Sequence, residues 1–169
     1  MKLSIKTPQW LAAFLLLGFL AACSESADVA NLQAQNKTVD ALALDVYKSP
    51  TCGCCTDWIT HVEAAGFSTS AHHPSDLKQL KTDRGIAPRY RSCHTAVSQD
   101  GFVFEGHVPV DIMQRFLANP PEGALGLAVP GMPVGSPGME MGDRFDSYDV
   151  WLLTTSGNDR VYQHVAGKR

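Results

Sequence analysis

The chain has 169 residues, 14 Lys and Arg against 17 Asp and Glu, a formal charge of −3, and 44% hydrophobic residues. This is the composition of a globular chain. No basic cluster marks a nucleic-acid face, and the mild acidity leans only slightly toward cationic partners.

Lys2 and Lys6 precede an apolar run from Trp10 to Leu20. That run is too short to span a bilayer comfortably and has the length of a signal-peptide core. Leu20-Ala21-Ala22-Cys23 then resembles the lipobox of bacterial lipoproteins, in which the Cys becomes the lipidated first residue of the mature chain. The resemblance implies a leader over residues 1–22 and a palmitate-type anchor on Cys23. Ser24 resembles the outer-membrane sorting pattern, so the expected location is the periplasm, tethered to the outer membrane. The alternative is an ordinary signal peptide cut nearby, or an uncleaved anchor. Residues 23–40 read as a polar tether, rich in Ala, Asn, Gln and Ser and without an aromatic residue. Residues 41–169 are then one domain of ordinary size.

The domain opens on a strand over residues 41–48 that runs into Cys52-Gly53-Cys54-Cys55. A helix follows from Thr56 to Ala65, with Trp58, Val62 and Ala65 on one face and Gly66 as its stop. The three thiols therefore sit at a strand-to-helix turn, where free amide protons and the positive dipole end favour thiolate. Phe67 to Ala71 reads as a second strand. Pro74 to Thr82 reads as a short helix with Leu77 and Leu80 inward. A βαβα opening of this kind predicts parallel neighbours.

Ile86 to Tyr90 forms a bend at Pro88. His94 to Ser98 and Phe102 to Glu105 are hairpin strands around Asp100-Gly101. Gly106-His107-Val108-Pro109 starts another helix, with Pro109 suited to its first turn and Ile112, Met113, Phe116 and Leu117 as its apolar face. Residues 120–145 hold five prolines and six glycines and read as a long irregular segment. Such a segment usually has a use, and covering a site is a natural one. Tyr148 to Thr154 and Arg160 to Val165 form a C-terminal strand pair.

Four cysteines lie beyond Cys23: Cys52, Cys54, Cys55 and Cys93. Outside the cytosol they can form disulfides. Cys52 and Cys55 have C-x-x-C spacing, and the pattern leaves open whether these thiols are bridged or hold a metal ion.

The element order resembles the thioredoxin-like fold in its glutaredoxin version: an α/β mixed sheet flanked by helices, here with a Gly/Pro/Met-rich segment and a C-terminal strand pair added. In that fold the C-x-x-C opens the first helix and a cis-proline precedes the third strand. Cys52 and Cys55 match the first feature, and Pro88 is the best counterpart of the second. Residues 48–55 (KSPTCGCC), 92–96 (SCHTA), 105–109 (EGHVP) and 126–140 (GLAVPGMPVGSPGME) resemble the bacterial family called domain of unknown function 411. Its members are described as metal-binding or copper-associated.

The resemblance implies a bound soft metal, Cu(I) first and Zn(II) second. Thiolate, thioether and imidazole all suit Cu(I), and the expected ligands are Cys52, Cys54, Cys55, Cys93, His94, His107, Met132, Met139 and Met141. Met132, Met139 and Met141 also fill core gaps well, and His107 can equally make a structural hydrogen bond. The expected function is copper transfer or resistance without catalysis, with a copper-exporting or copper-receiving periplasmic protein as partner. The rival functions are a thiol–disulfide oxidoreductase using Cys52 and Cys55 and a structural or partner-binding module stapled by its cysteines.

Overall fold

The structure is a computed structural model, and it describes residues 42–167. The expected leader, the lipidated Cys23 and the tether lie outside these residues. No described helix is long and apolar enough to cross a membrane.

The described elements, in chain order, are β1 (Ala43–Lys48), α1 (Gly53–Ala64), β2 (Ser68–His72), α2 (Leu77–Asp83), a 3-10 turn (Pro88–Tyr90), β3 (His94–Ser98), β4 (Val103–Glu105), α3 (Val110–Ala118), β5 (Ala124–Ala128), β6 (Tyr148–Thr154) and β7 (Arg160–Val165). The seven strands form one sheet in the order β2-β1-β3-β4-β5-β6-β7. The β1–β2 and β4–β5 pairs are parallel, and the other four neighbouring pairs are antiparallel. This is the thioredoxin-like mixed sheet the element order implied, with the thiols just beyond the C-terminal end of β1.

Period-two alternation sends neighbouring residues of each strand to opposite faces. Leu44 and Val46 of β1, Ala96 of β3, Phe104 of β4 and Leu152 of β6 meet Trp58 and Val62 of α1 and Ile112, Met113 and Phe116 of α3 on one face. On the other face, Val97, Val103 and Leu153 pack under Ile86 and Tyr90. β3 is buried along its whole length because both faces are covered. β2 is largely exposed and edges the sheet.

Several expectations are corrected. The first helix begins at Gly53 rather than Thr56, so Cys52 is its N-cap and Cys54 and Cys55 lie in its first turn. The buried residue of α2 is Lys81, while Leu77 and Leu80 are half-buried. Leu77 to Lys81 is also a helical spacing, and the buried ammonium has found an anionic partner. Pro109 is the N-cap of α3. No cis peptide bond occurs among the described residues, and Pro88 opens the 3-10 turn rather than leading directly into β3. Residues 120–145 are not irregular throughout. They contribute β5, whose Gly126 passes so close to β4 that a Cβ there would fall 1.9 Å from the Val103 carbonyl oxygen. Glycine is required at that crossing, and it hid the strand from a reading based on composition.

Trp58 anchors α1 at 0% exposure, and its Nε1–H donates to the Val108 carbonyl at 3.0 Å. Trp58→Ala should lower unfolding stability by about 3–5 kcal/mol, read as a shift of the urea midpoint. An unchanged midpoint would contradict this packing.

Candidate metal centre

Strand pairing brings the two cysteine segments together. β1 runs antiparallel to β3 with Lys48 opposite His94. The chain leaving β1 and the chain entering β3 therefore lie side by side at one end of the sheet. Cys52, Cys54 and Cys55 come from the first, Cys93 from the second.

All four sulfurs lie within 4.8 Å of one another. Cys52 and Cys55 are joined in a disulfide, and Cys54 and Cys93 are free among the described residues. The Cys54 sulfur sits 3.6 Å from that of Cys52. In this state the bridged pair offers no thiolate, so its role as ligand requires reduction first. Burial first, and then neighbouring Cys54, push the Cys93 thiol up to about 11. Beside Cys54 and the disulfide, the neutral thiol is therefore the favoured form of Cys93.

Cys93 also belongs to a second group. Its sulfur, His94 and His107 have ligand atoms within 4.8 Å of one another. His107 Nε2 lies 3.1 Å from Cys93 Sγ, and His94 Nδ1 lies 3.3 Å from it. The other nitrogen of His107 donates to the Pro137 carbonyl at 2.7 Å. A carbonyl only accepts, so Nδ1 carries the proton and Nε2 turns a bare lone pair toward the sulfur. Orientation of an imidazole by a backbone carbonyl on its far nitrogen is the usual support for a metal-ligating histidine. His94 is fully buried, 4.5 Å from the Trp58 ring, and its Nε2 has no partner among the described residues. Burial holds it well below the ordinary imidazole range, helped by the repulsion a protonated ring would meet from a proton on His107 and from the Lys81 and Lys48 ammonium groups. Burial also lowers His107, against the Pro137 carbonyl and Glu140. Both rings are neutral and available as ligands.

The glycine-rich segment reaches this centre at two points. Pro137 orients His107, as described. Gly138 lies on the first turn of α1, where a Cβ would fall 2.8 Å from the Cys54 carbonyl oxygen and 2.7 Å from the Trp58 nitrogen. A side chain at this position would lift the segment off the helix. Met139 follows Gly138 and is half-buried, whereas Met132 and Met141 are exposed. The structure thus gathers Cys52, Cys54, Cys55, Cys93, His94 and His107. It brings the methionine segment alongside without burying two of its three thioethers.

Sequence reasoning passed over three polar residues beneath this centre. Lys48 is buried, and its ammonium donates to the Ser49 carbonyl at 3.1 Å and the Cys52 carbonyl at 3.4 Å. The signal was present, because alternation places Lys48 on the same face as Leu44 and Val46. Lys81 and Glu105 form a buried ion pair on the opposite face of the sheet. Lys81 lies one helical turn after Leu77, and Glu105 ends a buried strand. Neither pattern says that the two would meet.

The neutral histidines set a pH dependence. Folded pKa values below 6.5 mean that the unfolded chain binds more protons once the pH falls under the unfolded value. Stability is therefore fully present above that value and is lost as pH falls, at about 1.4 kcal/mol per pH unit for each histidine between its two pKa values. The urea midpoint of the metal-free domain should drop from about pH 7 to about pH 5. His94→Phe, which keeps a ring beside Trp58, should flatten that drop. A midpoint independent of pH in the parent chain would contradict the neutral, buried imidazoles.

Comparison with known proteins places this arrangement. A family described as "Protein of unknown function, DUF411" matches residues 90–139, which include Cys93, His94, His107 and Met139. No curated protein matches the chain. The solved structure "Copper resistance protein copG- Form 1" is 46% identical, with a TM-score of 0.70 over 75% of this chain and 99% of that one. Form 2 of the same protein is 46% identical, with a TM-score of 0.69 over 73% and 98%. With 99% of that solved chain matched at 46% identity, this chain belongs to the domain of unknown function 411 family, together with the copper resistance protein copG.

Proposed function

We propose that the domain binds Cu(I) through the cysteine–histidine centre, outside the cytosol, and holds or transfers it in copper resistance. One observation carries the reading. Four sulfurs lie within 4.8 Å of one another, and one of them, Cys93, also lies beside the bare Nε2 of His107. A sulfur-rich set that yields thiolates as a metal displaces its protons, beside neutral imidazole, matches a soft monovalent ion and suits Mg²⁺ or Ca²⁺ poorly. The similar protein's description as a copper resistance protein supports copper over Zn(II), which the same donors could also hold in a closed tetrahedral site.

In this reading, Cys52 and Cys55 are one helical turn apart and converge on an ion once their disulfide is reduced. Cys54 and Cys93 supply the neighbouring sulfurs. His107 and His94 extend the donors on the Cys93 side. Met139, and the exposed Met132 and Met141, are the thioethers placed for handover to a copper-exporting or copper-receiving partner. The protein acts as a carrier rather than a catalyst.

A second reading is favoured by the Cys52–Cys55 disulfide itself, which has the position of a redox pair in a thioredoxin-like fold. A thiol–disulfide oxidoreductase would pass those two electrons to or from a dithiol substrate. Anaerobic competition for Cu(I) against a chromophoric chelator separates the two readings. Reduced protein should bind about one Cu(I) tightly, with further binding through Cys54. Cys52→Ser, Cys55→Ser and Cys93→Ser should each weaken binding. The disulfide form should bind more weakly than the reduced form, because two thiolates are withdrawn. No binding by the reduced protein, together with efficient exchange with a dithiol substrate, would favour the redox reading.

We further propose that residues 1–22 are a cleaved leader, that Cys23 carries the lipid anchor, and that residues 23–40 tether the domain to the periplasmic side of the outer membrane. The basic start, the apolar core and the Leu20-Ala21-Ala22-Cys23 box support this. Intact mass of membrane-extracted protein should show a chain beginning at Cys23 with added acyl mass. A chain beginning elsewhere without acyl mass would refute the anchor.

A further inference from the structure

Ser92, immediately before Cys93, has both of its backbone polar groups held by one buried ion pair. Glu105 Oε1 accepts the Ser92 N–H at 2.6 Å. Lys81 Nζ donates to the Ser92 carbonyl at 3.1 Å. Lys81 and Glu105 are themselves salt-bridged, at 4% and 0% exposure. The second Glu105 oxygen accepts from Thr95 Oγ1 at 2.5 Å, on the far side of Cys93. Two further contacts fasten the same residue. Ser92 Oγ donates to the Gly131 carbonyl. Gly106 has φ 74°, and a Cβ there would fall 2.6 Å from Ser92 Cβ.

Burying an ammonium and a carboxylate carries a desolvation cost that an apolar pair of the same volume would avoid. Stability alone therefore does not account for the pair. Its hydrogen bonds converge on the two residues flanking Cys93 and His94. Cys93 is the only residue common to both donor groups. A turn of the peptide between Ser92 and Cys93 would carry Sγ away from either His107 or the α1 sulfurs.

We propose that Lys81 and Glu105 are a positioning pair for the Cys93 thiol, joining the cysteine group and the histidine group into one site. The consequence for Cu(I) rests on the reading above. The geometric part does not. Supporting partners of metal ligands typically contribute about 10–100-fold to metal affinity, and this pair should fall in that range.

Two double variants test the pair, because both remove the two charges together and leave no lone buried ion. Lys81→Met with Glu105→Gln keeps an acceptor for the Ser92 N–H, whereas Lys81→Met with Glu105→Leu has none. The full-length chain is read in two ways: anaerobic Cu(I) competition in the reduced form, and the rate of Cys93 alkylation in the metal-free disulfide form, followed by peptide mass. The leucine variant should lose about 10–100-fold in Cu(I) affinity and alkylate about tenfold faster through local opening. The glutamine variant loses the Lys81 bond to the Ser92 carbonyl but keeps an acceptor for the Ser92 N–H, so it should fall between the parent chain and the leucine variant in both readouts, with thermal midpoints matched.

Parent-like alkylation in a folded leucine variant would overturn the positioning role whatever copper does. An equal loss in both variants would also overturn the paired role, because the Glu105 bond to the Ser92 N–H would then not matter. Absence of Cu(I) binding in the parent chain, with the alkylation difference intact, would overturn the copper reading and leave the positioning role standing. Should the leucine variant fail to fold, Lys81→Met alone is read by alkylation, and an unchanged Cys93 rate overturns the proposal.

Discussion

The buried Lys81–Glu105 pair is the constraint on which the centre depends. It lies on one face of the sheet, while His94 and Trp58 lie on the other. Its hydrogen bonds to Ser92 cross to the end of β3 and set where Cys93 emerges. An ion pair this deep is costly to break, since removing one partner leaves the other charged and unpaired, typically at about 3–5 kcal/mol. The burial that raises Glu105 is opposed by Lys81, the Ser92 N–H and Thr95, which is the balance a structural carboxylate needs.

The rest of the site follows from that placement. Antiparallel pairing of β1 with β3 brings the Cys52 turn beside Cys93, and the turn after β4 brings His107 to its other side. The glycine-rich segment then closes over the edge, with Pro137 on His107 and Gly138 on the first turn of α1. One sulfur is thus shared by two donor groups. The arrangement favours a soft ion and places the Cys52–Cys55 pair in competition with itself, because the disulfide withdraws two of the four sulfurs. The proposed copper holding and the rival thiol redox chemistry would draw on the same atoms, and reduction of that bridge is the step that would separate them.

The pattern of the chain made much of this legible. The period-two strands, the apolar stripes of α1 and α3, and the Asp100-Gly101 turn are local features, and local features survive reading in one dimension. The cysteine turn was legible for the same reason, since Cys52, Cys54 and Cys55 are neighbours in the chain. β5 was not, because Gly126 and the surrounding glycines and prolines look like loop until β4 lies beside them. Pro88 was read as a cis counterpart because of its place in the element order, and a 3-10 turn with a trans bond satisfies the same bend.

What the sequence determined by itself was the alternation, the helix faces, the thiol spacing and the kinds of donor present. Each depends on residues a few positions apart. Only the tertiary structure decided that Cys93 serves two groups, that His107 presents Nε2 because Pro137 takes the proton on Nδ1, and that Lys81 meets Glu105 across 24 residues. Those facts depend on which distant backbones pack together, and in particular on a sheet register that sets Lys48 opposite His94. A buried polar group is satisfied only by the partner that packing delivers, and that partner need not be near it in the chain.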